Sequence, residues 1–442
     1  MRAFRVLTLS SLAATFTLIS MTVASPLMAN PALIGTGQIS GTAVDQSGLT
    51  DTLSDGTPHN RLGGFGSGIA YTGQGEQYVA VPDRGPADGT TRYIDRVETL
   101  TIHVDPTAGT VSPSLNKTTL LTNESGQNFT GSSSAIDTSV PSSSLRLDPE
   151  GIRVGSTGQL YVSDEYGPYV YQFNQNGQRV STLAVPSKFT IDHPNADGTL
   201  ELPPNNASRR QSNRGMEGLA ITPSGNKLYG IMQSPLIQDG GLNAANSCVG
   251  LNTRILEMTV GSTLTREFLY PLSAASNGIS EILAVNDSQF LVLERDGNAG
   301  SAARFKQLFL INLLGATDIS NLGTTPFNGL PTTGIPAGIT LVTKTPLLDL
   351  LNPAYGLAGA SFPEKLEGLA FGPDLADGRH LLLVTSDNDF AAGNPSRFFA
   401  FALDRSDLPG FQAQQVVPEP ATSALMLVGI TMLGYWRGRL NR

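Results

Sequence analysis

Glu217-Gly218-Leu219-Ala220, a turn at Pro223-Ser224-Gly225-Asn226, and Leu228-Tyr229-Gly230-Ile231-Met232 form two short apolar runs joined by turn-forming residues. That is the pattern of a β-hairpin. Two further strand-like runs follow at 254–260 and 266–272, so the unit holds four strands.

The unit recurs. Gly68-Ile69-Ala70-Tyr71 precedes Tyr78-Val79-Ala80-Val81-Pro82-Asp83, and Glu150-Gly151-Ile152 precedes Leu160-Tyr161-Val162-Ser163-Asp164. Glu281-Ile282-Leu283-Ala284 precedes Phe290-Leu291-Val292-Leu293-Glu294, and Glu367-Gly368-Leu369-Ala370-Phe371 precedes Leu381-Leu382-Leu383-Val384-Thr385-Ser386-Asp387. Repeated four-strand units predict an all-β fold, a β-propeller of about five to six four-stranded blades with long loops. Five units are read directly and a sixth has room in a poorly patterned stretch. The irregular spacing argues against a β-helix, and the grouping by four against a sandwich. Segment 34–44 is placed to pair with 397–403 and close the ring, while 122–144, 192–215 and 320–337 read as loops.

Charged residues make up only 15% of the chain and the net charge is −9, which excludes a nucleic-acid-binding surface of the usual basic kind. Cys248 is the single cysteine, so no intrachain disulfide forms and stability rests on packing. The four histidines, His59, His103, His193 and His380, have no H-x-x-x-H spacing, which argues against zinc. No G-x-S-x-G elbow surrounds any serine.

In an antiparallel hairpin the start of the first strand and the end of the second share an edge. Acids fall at those two places: Glu150, Glu217, Glu281 and Glu367 before the first strand, and Asp83, Asp164 with Glu165, Glu294 with Asp296, and Asp387 with Asp389 after the second. Around an axis they gather at one mouth, whereas Asp45 reads as an isolated acid. Carboxylates this close repel unless a cation or proton separates them, and an all-oxygen donor set suits Ca2+. Arg84, Arg214, Arg295 and Lys365 are interleaved with the same acids. Cations and guanidinium groups together suit a phosphate ester.

Asp148-Pro149-Glu150-Gly151-Ile152, Ser163-Asp164-Glu165-Tyr166-Gly167-Pro168, Arg214-Gly215-Met216-Glu217-Gly218-Leu219-Ala220 and Lys365-Leu366-Glu367-Gly368-Leu369-Ala370 together resemble the phytase-like family, also called "esterase-like activity of phytase". The likeness runs from about Leu62 to Leu403 and implies ester or phosphoester hydrolysis; similarity to calcium-dependent propeller phytases implies Ca2+. On that basis the expected reaction is hydrolysis of a small phosphate ester, with Glu217 and Glu367 catalytic. Glu150, Asp164, Glu165, Glu281, Glu294, Asp296, Asp387 and Asp389 would hold metal, and Arg84, Arg214, Arg295 and Lys365 would hold substrate. A Ca2+-dependent propeller lactonase or esterase would use the same acids with less need of the basic residues, and a non-catalytic extracellular-matrix binding module is the alternative from another class.

The ends carry a different signal. Arg2 and Arg5, an apolar run over 6–23 and small residues around Ala29 read as a secretory signal peptide over 1–29. Residues 33–405 then form the propeller domain and 406–416 a linker. Pro418-Glu419-Pro420, the apolar stretch 421–436 and a terminus with Arg437, Arg439 and Arg442 resemble the PEP-CTERM sorting signal. The resemblance implies that an exosortase-type enzyme processes residues 417–442, a short transmembrane segment, and that the membrane is met only through that tail.

Overall fold

The computed structural model describes residues 31–140, 143–325 and 328–416. The predicted signal segment and the sorting tail lie outside them. Among the described residues no helix is long and apolar enough to cross a membrane.

Among the described residues twenty strands form five four-stranded antiparallel blades. Strand β1 (Ala32–Ile39) is set aside for the last. The first blade contains β2 (Gly68–Tyr71), β3 (Gln77–Val81), β4 (Arg96–Asp105) and β5 (Thr110–Leu120); the second contains β6 (Pro149–Val154), β7 (Leu160–Asp164), β8 (Tyr169–Phe173) and β9 (Arg179–Leu183). The third holds β10 (Met216–Ile221), β11 (Lys227–Met232), β12 (Asn252–Thr259) and β13 (Thr265–Pro271), and the fourth β14 (Asn277–Ala284), β15 (Gln289–Asp296), β16 (Lys306–Asn312) and β17 (Thr343–Asp349). In the fifth, β18 (Leu366–Phe371), β19 (His380–Ser386) and β20 (Ser396–Leu403) are completed from the other end of the chain by β1, paired antiparallel with β20 from Ala32 opposite Ala402 to Ile39 opposite Ser396. The innermost strands β2, β6, β10, β14 and β18 each touch the next around a closed circle. The fold is a five-bladed propeller, and the described residues of the stretch 320–337 belong to a loop of the fourth blade.

Five apolar clusters fill the five gaps between blades. Each middle strand feeds two of them, because successive side chains point to opposite faces of a sheet. On β19, Leu381 and Leu383 pack against the first blade while Leu382 and Val384 pack against the fourth. Both faces are covered, so these strands read as unbroken apolar runs rather than alternating ones.

The glycine that follows three of the repeated glutamates has a steric cause. A Cβ on Gly151 would lie 2.8 Å from the Leu219 nitrogen, one on Gly218 2.7 Å from the Ile282 nitrogen, and one on Gly368 2.9 Å from the Gly66 oxygen. At these three positions the inner strands converge to backbone contact, which leaves no room for a Cβ.

Candidate active site at one mouth of the ring

A β-bulge places the first set of mouth residues. On β10 the register steps from Met216 opposite Met232 to Gly218 opposite Ile231, which leaves Glu217 as the extra residue. The same step isolates Glu367 on β18, Ser280 on β14 and, between Pro149 and Ile152, Glu150 on β6. A bulge adds twist and re-aims its side chain. On the returning strands, the residue after the last bulge-flanking pair supplies Glu165, Gln233, Arg295 and Asp387, and Asp83 follows β3 at the same edge.

Neighbouring blades are cross-linked at this mouth. Arg295 Nη2 donates to Glu367 Oε1 at 2.6 Å and its Nε to Ser280 Oγ at 2.8 Å, and Ser67 Oγ reaches Glu367 Oε2 at 3.4 Å. Gln233 Nε2 donates to Glu217 Oε1 at 2.8 Å, whereas Glu217 Oε2 is buried without a hydrogen-bond partner. Two carboxylate groupings have the closeness a metal requires: Asp148, Glu150 and Glu165, all buried, and Asp83, Asp387 and Asp389. The Lys365 ammonium already lies among the second group, 2.5 Å from Asp389, 3.2 Å from Asp387 and 3.7 Å from Asp83.

Burial, then the neighbouring Glu217 carboxylate, raises the Glu150 pKa well above the usual carboxylate range. Burial, then Glu165 and Glu367, does the same to Glu217, and burial with Asp387 does it to Asp83. Negative charge here is under-compensated, although burial is opposed at Lys365 by Asp387, Glu367, Asp83 and Asp389, which hold the ammonium firmly protonated.

The structure separates the sequence-derived site residues into groups. Glu150, Glu165, Glu217, Glu367, Asp387, Asp389, Arg84, Arg295, Lys365 and Arg214 lie at this mouth. Four acids are taken up elsewhere, for reasons of register. Glu281 falls one residue past the bulge, at the position of Gly218 and Gly368, and its Oε2 meets Arg153 Nη2 at 2.8 Å inside the ring. Glu294 occupies the strand position before Arg295 and turns outward to Lys344 (2.6 Å), Tyr270 and Asn277. Asp296 bonds Lys306, Asn298 and the Arg304 amide. Asp164, in the position matching Glu294, accepts the amides of Asp148, Tyr166 and Gly167.

The cations also divide. Arg84 is held by Asp148 (2.9 Å), Asp88 (2.6 Å) and Glu165 (3.8 Å). Arg295 and Lys365 are paired as described. Among the described residues Arg214 makes no ion pair, only long contacts to Gln233 and Ser234 at 3.5 and 3.4 Å. Sequence reasoning missed Asp148 as a site residue, although it stands two before Glu150, and missed Ser67, Gln233 and Ser280, which carry no charge to mark them. Asp45 is not isolated: it is buried in an ion pair with Arg96.

A closed five-bladed ring with one carboxylate-lined mouth defines the class of protein. Residues 60–390 match the family described as "Phytase-like: Esterase-like activity of phytase", and the chain belongs to that family. The family's description fits a hydrolase. Residues 416–440 match the PEP-CTERM protein-sorting motif, which marks an exported, surface or extracellular protein with C-terminal anchoring. An uncharacterized secreted protein of Arthroderma benhamiae is 28% identical over 350 residues; the match takes in 62% of this chain and 65% of that one, so the chain spans just under two thirds of that relative. Solved structures of similar shape include the tail fiber of Staphylococcus aureus phage P68, 10% identical with TM-score 0.37 over 86% of this chain and 54% of that one. A gluconolactonase of Xanthomonas campestris is 12% identical with TM-score 0.31 over 85% and 98%.

Proposed function

We propose that the chain is an exported, Ca2+-dependent hydrolase that acts on phosphate esters at the carboxylate mouth. The observation that carries this is the Glu217 Oε2 atom, buried and unpartnered beside Asp148, Glu150 and Glu165, whose oxygens lie within 4.8 Å of one another. An orphan anionic oxygen next to an all-oxygen cluster fits a hard divalent cation. Asp148, Glu150 and Glu165, with Glu217 beside them, would hold it. The Asp83, Asp387 and Asp389 group fits a metal less well, because Lys365 supplies its positive charge from within the chain. When bound, Ca2+ supplies charge neutralisation and polarises a phosphoryl oxygen.

The chain's own residues divide the remaining work. Glu217, with one oxygen fixed by Gln233 and the other unpartnered, is the proton acceptor for an attacking water. Glu367, gripped by Arg295 and Ser67, positions Arg295 at the rim. Arg214 is the guanidinium available to a substrate phosphate. The sorting tail would be handled by an exosortase-type enzyme, and the net charge of −9 supports no nucleic-acid partner.

One observation favours a second reading. Arg84, Arg295 and Lys365 are each neutralised by carboxylates, so a neutral ester or lactone would meet little cationic excess, as a Ca2+-dependent propeller lactonase or esterase requires. The test is hydrolysis by the mature protein of phosphomonoesters, phosphodiesters, carboxyl esters and lactones, with Ca2+ and with chelator, using parent and Arg214→Ala. Phosphatase activity lost in chelator, with KM raised about 10- to 100-fold by Arg214→Ala as the loss of a charged hydrogen bond implies, supports the phosphoesterase. Lactone or carboxyl-ester turnover unaffected by Arg214→Ala supports the second reading, and no turnover at all leaves a binding module.

A further inference from the structure

The segment read from the sequence as a linker is docked. After β20 the chain buries Leu408 between the fourth and fifth blades, and then crosses the face of the ring opposite the carboxylate mouth. Phe411 packs on Phe371 (ring centroids 4.7 Å) and His380 (4.1 Å) of the fifth blade. The Gln412 amide donates to the Val285 carbonyl at 2.9 Å, and Asn286 of the same fourth blade donates to the Gly410 carbonyl at 3.1 Å. The Gln415 amide donates to the Pro223 carbonyl of the third blade at 3.0 Å, and Gln414 Nε2 to the Val154 carbonyl of the second. Val416 packs beside Val79, Val97, Val154 and Leu160 in the groove between second and first blades, against Gly73. All five blades are touched. A cavity of about 290 Å³ lies between this strap and Arg153.

We propose that residues 408–416 are a strap that fixes the exit of the sorting tail on the face opposite the carboxylate mouth, so that the anchored protein rests that face on the lipid surface and presents its mouth outward. The apolar run begins at residue 421, five peptide steps after Val416, and five steps reach at most about 18 Å. An eight-residue strand such as β14 is itself roughly 26 Å long, so the tether is too short to carry the anchor around the rim to the mouth. The strap, not the tail, decides the orientation. This goes beyond the hydrolase reading and is read out without catalysis, so either can fail alone.

The experiment uses the full chain, Cys248→Ser, in lipid vesicles containing nitroxide-labelled headgroups, with one fluorophore attached at Asp287→Cys on a far-face turn or at Ala299→Cys on the mouth side. The expected result is several-fold stronger quenching at position 287 than at 299. Gln412→Pro with Phe411→Ala, which removes the bond to Val285 and the aromatic contacts, should level the two. So should a long Gly/Ser insertion after Val416, which lengthens the tether and leaves every blade contact intact, even if the double substitution unfolds. Equal quenching in the parent, stronger quenching at 299, or a contrast that survives the insertion overturns the proposal.

Discussion

Arg153 and Glu281 meet at 2.8 Å inside the ring, both nearly solvent-free, and join the second blade to the fourth. Arg153 also donates to the carbonyls of Ile69 on the first blade and Ile282 on the fourth, so one guanidinium ties three blades. Glu281→Gln should lower stability by about 3–5 kcal/mol, the usual cost of leaving a buried charge without its partner. Arg153→Met combined with Glu281→Leu should recover most of that loss. Urea unfolding of Arg153→Met, Glu281→Leu and the double variant checks it: a double variant whose loss is the sum of the two single losses would show that the pair has no coupling.

Ca2+ should raise the melting temperature of the parent, since a ligand at 100 times its Kd adds about 2.7 kcal/mol to native stability. Glu150→Gln and Glu217→Gln should lose most of the gain, while Asp287→Asn, on an exposed turn, keeps it. Without Ca2+ the two Gln variants should melt at or above the parent, because each removes a buried charge that its neighbours repel. Variants that melt lower with and without Ca2+ would show instead that the acids serve as partners for Arg and Lys.

The fold was legible because a four-strand repeat with apolar runs has few destinations, and five copies of it close only as a ring. The membership of the site was less legible. Glu217 and Glu281 look alike in sequence, since both open an apolar run, but a bulge puts Glu217 at the mouth and leaves Glu281 one residue deeper, facing Arg153. A one-residue shift in a strand reverses the side a residue faces, and bulges leave no compositional mark. Asp164, Glu294 and Asp296 were misplaced by the same parity. Blade number was readable only as five to six, because long loops between units hide whether another unit is present.

Stability should also depend on pH through Glu98, away from the mouth. This residue is 1% exposed on β4, accepts a 2.6 Å bond from Thr118 Oγ1, and is pushed by burial to a pKa of about 8. The unfolded chain releases the same proton near pH ~4.3. Between those values the native state binds more protons than the unfolded one, so the contribution of Glu98 is most favourable below pH ~4.3 and is lost as pH rises toward 8. Glu98→Gln, which still accepts from Thr118, should match the parent near pH 4.5 and exceed it by about 2–4 kcal/mol at pH 8.5. Denaturant unfolding across that range measures the difference, and a difference that does not vary with pH would refute it.

The boundary of the folded unit can be located by truncation. A chain ending at Arg405 lacks Leu408, which is 1% exposed, and Phe411 with its two aromatic contacts; a chain ending at Val416 keeps both along with the bonds to Val285 and Pro223. Burying one leucine side chain is worth about 1.5–3 kcal/mol, and a kcal/mol moves the melting temperature of a domain of 150–250 residues by about 2–4 °C, less in a larger one. The shorter chain should therefore melt several degrees below the longer. It should also expose the cavity beside Arg153, so an apolar dye that fluoresces on burial should brighten with the shorter chain alone before either melts. Identical melting of the two chains would place the end of the cooperative unit at β20 and reduce residues 406–416 to the linker that their sequence suggests.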